Sequence, residues 1–284
     1  MEMDVQMEKK NDLVKYNNIM NQIAFTKFTT TDYNFLMMLC SKLRNQETNK
    51  MVFSFKEIKE LVNYRSNHTA EHFAMELKRM NQKMMNISST IETENEILMF
   101  VLFPTFTVNK KEQTLTVAVN ESFKFILNEL TKEFTEFDLK SFTLLESKYS
   151  KTLYRKLKQF KFSGFYKVKV DELRRIMDAP KSYSNNTFLN YAINPALEEL
   201  KGYIPNLRME IIREKKRGAP ISGFVFKFDK QEQKDKPDIQ MVDEPGIIDA
   251  EVVEAEIKVE EKKEEEIKSQ TYNEMDEYLR KLAR

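Results

Sequence analysis

His68 and His72 bracket the run HTAEH, which has the H-x-x-E-H spacing of a zinc-peptidase motif. With both imidazoles on one helical face, two zinc ligands are geometrically feasible. A third protein ligand would have to be a distant carboxylate, and no feature of the sequence singles one out. The same residues make sense as a polar turn and the first turn of a helix, which leaves the zinc metallopeptidase as a remote alternative. The five glycines form no phosphate-cradling loop. Cys40 is the single cysteine, has no second thiol for zinc or a disulfide, and sits in an apolar stretch that reads as core in a reducing compartment. There is no strand-borne tyrosine motif of the kind a nicking relaxase uses. The expectation is a protein that is not an enzyme and has no catalytic, metal-binding or cofactor-binding residues.

The remaining chemistry lies in asparagines and cations. A net charge of +1 conceals a division into −2 over residues 1–138, +11 over 139–230 and −8 over 231–284. The basic middle is the footprint of a polyanion-binding module. Inside it, the turn Lys181, Ser182, Tyr183, Ser184, Asn185, Asn186 opens a helical stretch that also carries Asn190. An asparagine amide can bond N6 and N7 of adenine together, so Asn185, Asn186 and Asn190 are candidates for reading bases. Helix capping is the competing role for Asn185. Lys148, Lys151, Arg155 and Lys158 recur every three or four residues, a stripe suited to phosphates. Arg213, Lys215, Lys216 and Arg217 flank a turn that Gly218 permits. Neutralising about six phosphates would give a log–log salt slope near −5. Earlier in the chain, Arg65, Ser66, Asn67, His68 and Thr69 form a comparable turn, with Lys78, Arg79 and Lys83 on the exposed side of the following helix. Contact with DNA there is expected to be secondary.

The elements that must position these residues occur twice in the same order. The first copy reads as a helix over 29–45 capped by Thr31, a strand over 51–55, helices over 56–63 and 69–85, and β segments over 96–108 and 114–119. The second reads as a long helix over 138–160, a strand over 165–170, a helix over 171–179 stopped by Pro180, a helix over 184–200, and β segments over 207–214 and 222–229. Aligning Ile58 with Leu173 offsets the copies by 115 residues. Helix, strand, helix, polar turn, helix and β-hairpin is the order of a winged helix, which presents its second helix to a major groove while the hairpin reaches neighbouring phosphates.

The expected class is therefore α+β, with two tandem winged-helix domains and a disordered acidic tail. The domains are placed at 10–132, for dimerisation and secondary DNA contact, and at 138–230, for the main DNA binding. Residues 231–284 form a charged flexible tail, in which Tyr272, Met275, Tyr278, Leu279 and Leu282 are spaced for a short amphipathic helix. The apolar run EILMFVLF (96–103) holds more hydrophobic surface than one hairpin face should expose, and burial against a second protomer or inside its own domain would account for it. No apolar run is long enough to cross a bilayer and the N-terminal stretch lacks the apolar core of a secretory signal, so a cytoplasmic protein with no membrane contact is expected.

The stretches DLVKYNNIMNQIAFTKFTTTDYNFLMMLCSKLR, FDLKSFTLLESKYSKTLYRKLKQF and VDELRRIMDAPKSYSNNTFLNYAINPALEEL resemble the RepB-like family of iteron-binding, theta-type plasmid replication initiators. The likeness covers about residues 10–230 and is most specific in the last stretch, from Asn194-Pro195-Ala196 to Leu200. It implies two winged-helix domains, binding to repeated double-stranded origin sites, a monomer–dimer equilibrium, autorepression, and recruitment of host proteins such as a helicase or initiator. Members commonly carry more Arg or Lys along the helix over 184–200, and their scarcity here disfavours guanine contacts. A transcription repressor without initiator role is the competing reading. A single palindromic site favours it, whereas tandem direct repeats favour the initiator.

Overall fold

The computed structural model describes residues 13–44, 46, 50–85, 89–92, 97–100, 103–118, 120, 127, 134–215 and 217–231. Lys216, the tail from 232 onward, residues 96, 101 and 102, and the side chains of 97–100 fall outside that set, so the expected protomer contact and terminal helix do too. Among the described residues, no helix is long and apolar enough to cross a membrane.

The first half is built on α1 (Thr30–Lys42), whose residues from Asp32 to Ser41 are all buried. Thr29, rather than Thr31, starts it through a capping box with Asp32: the Asp32 N–H donates to the Thr29 hydroxyl, and the Thr29 N–H donates to the Asp32 carboxylate. β2 (Met51–Ser54), α2 (Phe55–Leu61) and α3 (Ala70–Met85) follow, and β5 (Thr105–Asn109) and β6 (Thr114–Ala118) close a three-stranded sheet of order β2-β6-β5. A separate pair, β3 (Ser89–Glu92) with β4 (Ile97–Phe100), is inserted after α3. An element absent from the sequence reading is β1 (Leu13–Asn17), antiparallel to β7 (Phe134–Asp138) in the register Leu13 to Asp138.

The long helix expected over 138–160 is two helices. Asp138 caps α4 (Leu139–Leu144), Leu145 turns extended, and Ser147 caps α5 (Lys148–Gln159), because each cap oxygen takes an orphan N–H of the turn it opens. β8 (Phe165–Lys169), α6 (Val170–Ile176), the helical run 185–200, β9 (Arg208–Arg213) and β10 (Ile221–Lys227) complete the second half, with sheet order β8-β10-β9. A Cβ on Gly223 would stand 2.6 Å from the Val168 carbonyl oxygen, so only glycine lets β10 lie this close to β8 at the bulge between Ile221 and Gly223.

The two halves repeat at atomic detail with the offset of 115. After α2, the N–H groups of Val62, Asn63 and Tyr64 donate to the carbonyls of Ile58, Glu60 and Lys59; after α6, Met177, Asp178 and Ala179 donate to Leu173, Arg175 and Arg174. Asn63 (φ 52°) and Asp178 (φ 46°) take the left-handed conformation at the same step, one that short polar side chains tolerate. This closure ends α6 before Pro180 is reached, correcting the expectation that the proline stops it.

Candidate nucleic-acid interface

In the second half, Ser184 caps α7 (Asn185–Phe188), accepting from the Thr187 N–H at 3.1 Å. α7 runs through a π-turn (Leu189–Ile193) into α8 (Asn194–Leu200), so 185–200 acts as one rod. Phe188, Ala192, Ile193, Ala196 and Leu200 bury its inner side, while Asn186, Asn190, Tyr191 and Asn194 face solvent. Asn186 and Asn190 are thus exposed on the outer face, where the Asn190 amide oxygen accepts from Asn194 Nδ2 at 3.4 Å. Asn185 is half-buried and donates to the Ile221 carbonyl at 3.2 Å, so it ties the helix to the base of the hairpin. That use of its amide goes against the base-reading role and for the structural one.

The turn before the helix is exposed at Lys181, Ser182 and Ser184, and half-buried at Tyr183. Arg174 pins it from α6, donating to the carbonyls of Tyr183 at 2.6 Å and Pro180 at 3.3 Å, with its guanidinium 5.3 Å from the Phe188 ring centroid. Its partners are backbone oxygens, which leave no mark in a sequence. Tyr191 and Asn194 join the exposed face beyond the residues expected there, and their spacing from Asn190 is the signal that places them on it. At the hairpin tip Arg213, Lys215 and Arg217 are exposed, and Gly218 (φ 85°) makes the turn. In the first half, Arg65, Asn67, Lys78 and Arg79 are exposed, whereas Lys83 is held by Asp32 at 2.6 Å.

Two helix-turn-helix units, each with a β-hairpin wing, are the architecture expected of the α+β class. Residues 13–158 match the model described as Initiator Replication protein, WH1, and residues 169–228 match Initiator Rep protein, WH2. The chain belongs to this family of replication initiators. It is 35% identical over 246 residues to a Probable replication protein rep of Bifidobacterium longum (strain NCC 2705), covering 86% of this chain and 78% of that protein. The crystal structure of Pi initiator protein in complex with iteron DNA covers 79% of this chain and 99% of that one, with a TM-score of 0.58; at 17% identity the likeness is one of fold.

The expected phosphate stripe on α5 does not exist in this initiator. Lys151 and Arg155 are 0% and 2% exposed, and every residue from Ser150 to Leu157 is buried. The reason is that α5 is covered on both sides, by α1, β7 and the 18–21 turn of the first half and by β8 and the 185–200 rod of the second. Arg155 Nε donates to the Tyr16 hydroxyl at 3.0 Å and Nη2 to the Met20 carbonyl at 2.6 Å, and its guanidinium lies 4.6 Å from the Phe25 ring centroid. Lys148 donates to the Asp178 carbonyl at 3.0 Å. Lys158 is half-buried over the Tyr154 ring, and burial lowers its pKa.

Lys151 donates to the Phe142 carbonyl at 2.6 Å, and burial draws its pKa from 10.5 down to about 7. Above pH 7 the folded state holds this amine neutral while the unfolded chain keeps it charged up to 10.5. The unfolded state then binds more protons, so the Lys151 contribution to stability rises with pH across that window, by up to about 1.4 kcal/mol per pH unit. Buried Tyr16 and Cys40, each pushed up to about 12 by burial, act in the opposite sense only toward higher pH. Urea unfolding between pH 7 and 8.5 is expected to show a rising midpoint in the initiator and a flatter one in Lys151→Met.

The HTAEH histidines do not share a helical face. α3 begins at Ala70, so His68 belongs to the preceding turn and its ring lies 3.9 Å from that of His72. Among the described residues, no three His, Cys, Asp or Glu side chains gather as a metal site would need.

Proposed function

We propose that this initiator binds repeated double-stranded DNA sites at a replication origin, with the 138–230 half setting the 185–200 helix into the major groove and the 213–218 wing against flanking phosphates. The observation that carries this reading is one solvent-facing edge where the amides of Asn186 and Asn190 stand on the groove helix beside a domain whose wing exposes Arg213, Lys215 and Arg217. Asparagines point to adenine-containing sites. The 10–132 half adds a weaker contact through Arg65, Asn67, Lys78 and Arg79. Support also comes from the family, and from a neighbour of the same fold whose structure is described as a complex with iteron DNA. The reading extends to a cytoplasmic protein in monomer–dimer equilibrium that represses its own gene, recruits host replication proteins and performs no catalysis itself.

DNase footprinting of the full chain on the DNA flanking its gene tests this. The expected result is protection of tandem direct repeats, each about two helical turns long. A single protected palindrome would favour the repressor, and an unprotected flank would overturn the assignment.

A further inference from the structure

The outer face of the groove helix carries one large aromatic group, Tyr191, 69% exposed among asparagines. An isolated exposed ring on a protein surface needs no explanation. The backbone beneath this one does. Pro195 has no N–H to give the Tyr191 carbonyl, and its ring would crowd that oxygen in a regular α-helix. The chain answers by widening: the Asn194 N–H donates to the Leu189 carbonyl, five residues back, and 189–193 forms a π-turn. Such single turns are uncommon inside helices and recur at functional sites. Across this turn Ala192 and Ile193 are buried while Asn190 and Tyr191 are both exposed. Tyr183 extends the aromatic surface, its ring centroid 6.4 Å from that of Tyr191.

An A·T pair offers two things in the major groove: the N6/N7 edge of adenine, which suits an asparagine amide, and the C5-methyl group of thymine, which suits an apolar contact. We infer that Tyr191 is a specificity-determining residue of this initiator, its ring packing on a thymine methyl next to the adenine read by Asn190, with Pro195 as the positioning residue that sets the pair abreast. This rests on the groove-helix reading above and names what that helix selects.

The test selects a randomised 30-bp duplex library on the full-length protein, then replaces each thymine of the enriched sequence with deoxyuridine, which removes only the methyl group. Replacing one thymine beside an adenine is expected to cost about fourfold in affinity, the worth of one buried methyl. Tyr191→Phe keeps that penalty, whereas Tyr191→Ala binds the thymine and deoxyuridine duplexes equally. In Pro195→Ala, where the helix can close to its regular register, the penalty shrinks. If no deoxyuridine costs affinity, or if the penalty is unchanged in Tyr191→Ala, the assignment of Tyr191 is overturned; an unchanged penalty in Pro195→Ala overturns the positioning role. Failure to enrich any sequence would instead overturn the groove-helix reading itself.

Discussion

Replacing Arg155 with alanine is expected to lower the stability of the initiator by about 3–5 kcal/mol, because it leaves a cavity where a large buried side chain stood and strips two buried oxygens of their donor. The cause is local. The guanidinium fills the space under α5 between the Phe25 and Tyr16 rings and satisfies the Tyr16 hydroxyl and the Met20 carbonyl. Tyr16 in turn donates to Asn21, whose amide donates to Thr135 at 2.7 Å and Gln159 at 3.1 Å. Removing the arginine thus unties β1, the 18–21 turn and β7 from α5 at once. Arg155→Lys should recover little, because an ammonium cannot reproduce the planar fork that reaches two acceptors. Urea unfolding measures the loss. A shallower salt slope in DNA binding by the folded variant would instead make Arg155 a phosphate contact.

Neutralising the exposed cations has the opposite signature. Lys181, Lys215 and Arg217 stand in solvent beside the groove helix or at the wing tip. The triple alanine variant is expected to fold normally, to lose about 2.7 from the log–log salt slope, and to bind about a hundredfold more weakly at 0.15 M salt, since each phosphate contact contributes roughly 0.9 to the slope. The equivalent loss from Lys78 and Arg79 together should be smaller, in keeping with a secondary role for the first half. Equilibrium binding of the selected duplex between 0.1 and 0.4 M salt decides both. An unchanged slope in the triple variant would remove the wing from the interface.

Local chemistry made much of this legible in the residue order. Turn-forming polar runs, the 115-residue offset from Ile58 to Leu173, and the apolar spacing of α3 and of 184–200 were enough to place two helix-turn-helix units with their hairpins. The same local rules located the solvent-facing asparagines, because helix periodicity says which residues share a face. It does not say what that face meets. The lysines and arginine of α5 have the spacing of a solvated stripe, and a helix covered on one side would have displayed them. Here a second layer covers the other side, so Lys151 and Arg155 become core groups held by carbonyls and aromatic rings. The pairing of β1 with β7, the grip of Arg174 on three backbone oxygens' worth of turn, and the diversion of Asn185 to Ile221 were hidden for the same reason. Each joins groups distant in sequence or bonds to main-chain atoms that every residue possesses. Sequence by itself thus determined which elements form and which side chains can bond DNA, and the packing of α5 between two halves decided which of those side chains are free to do so.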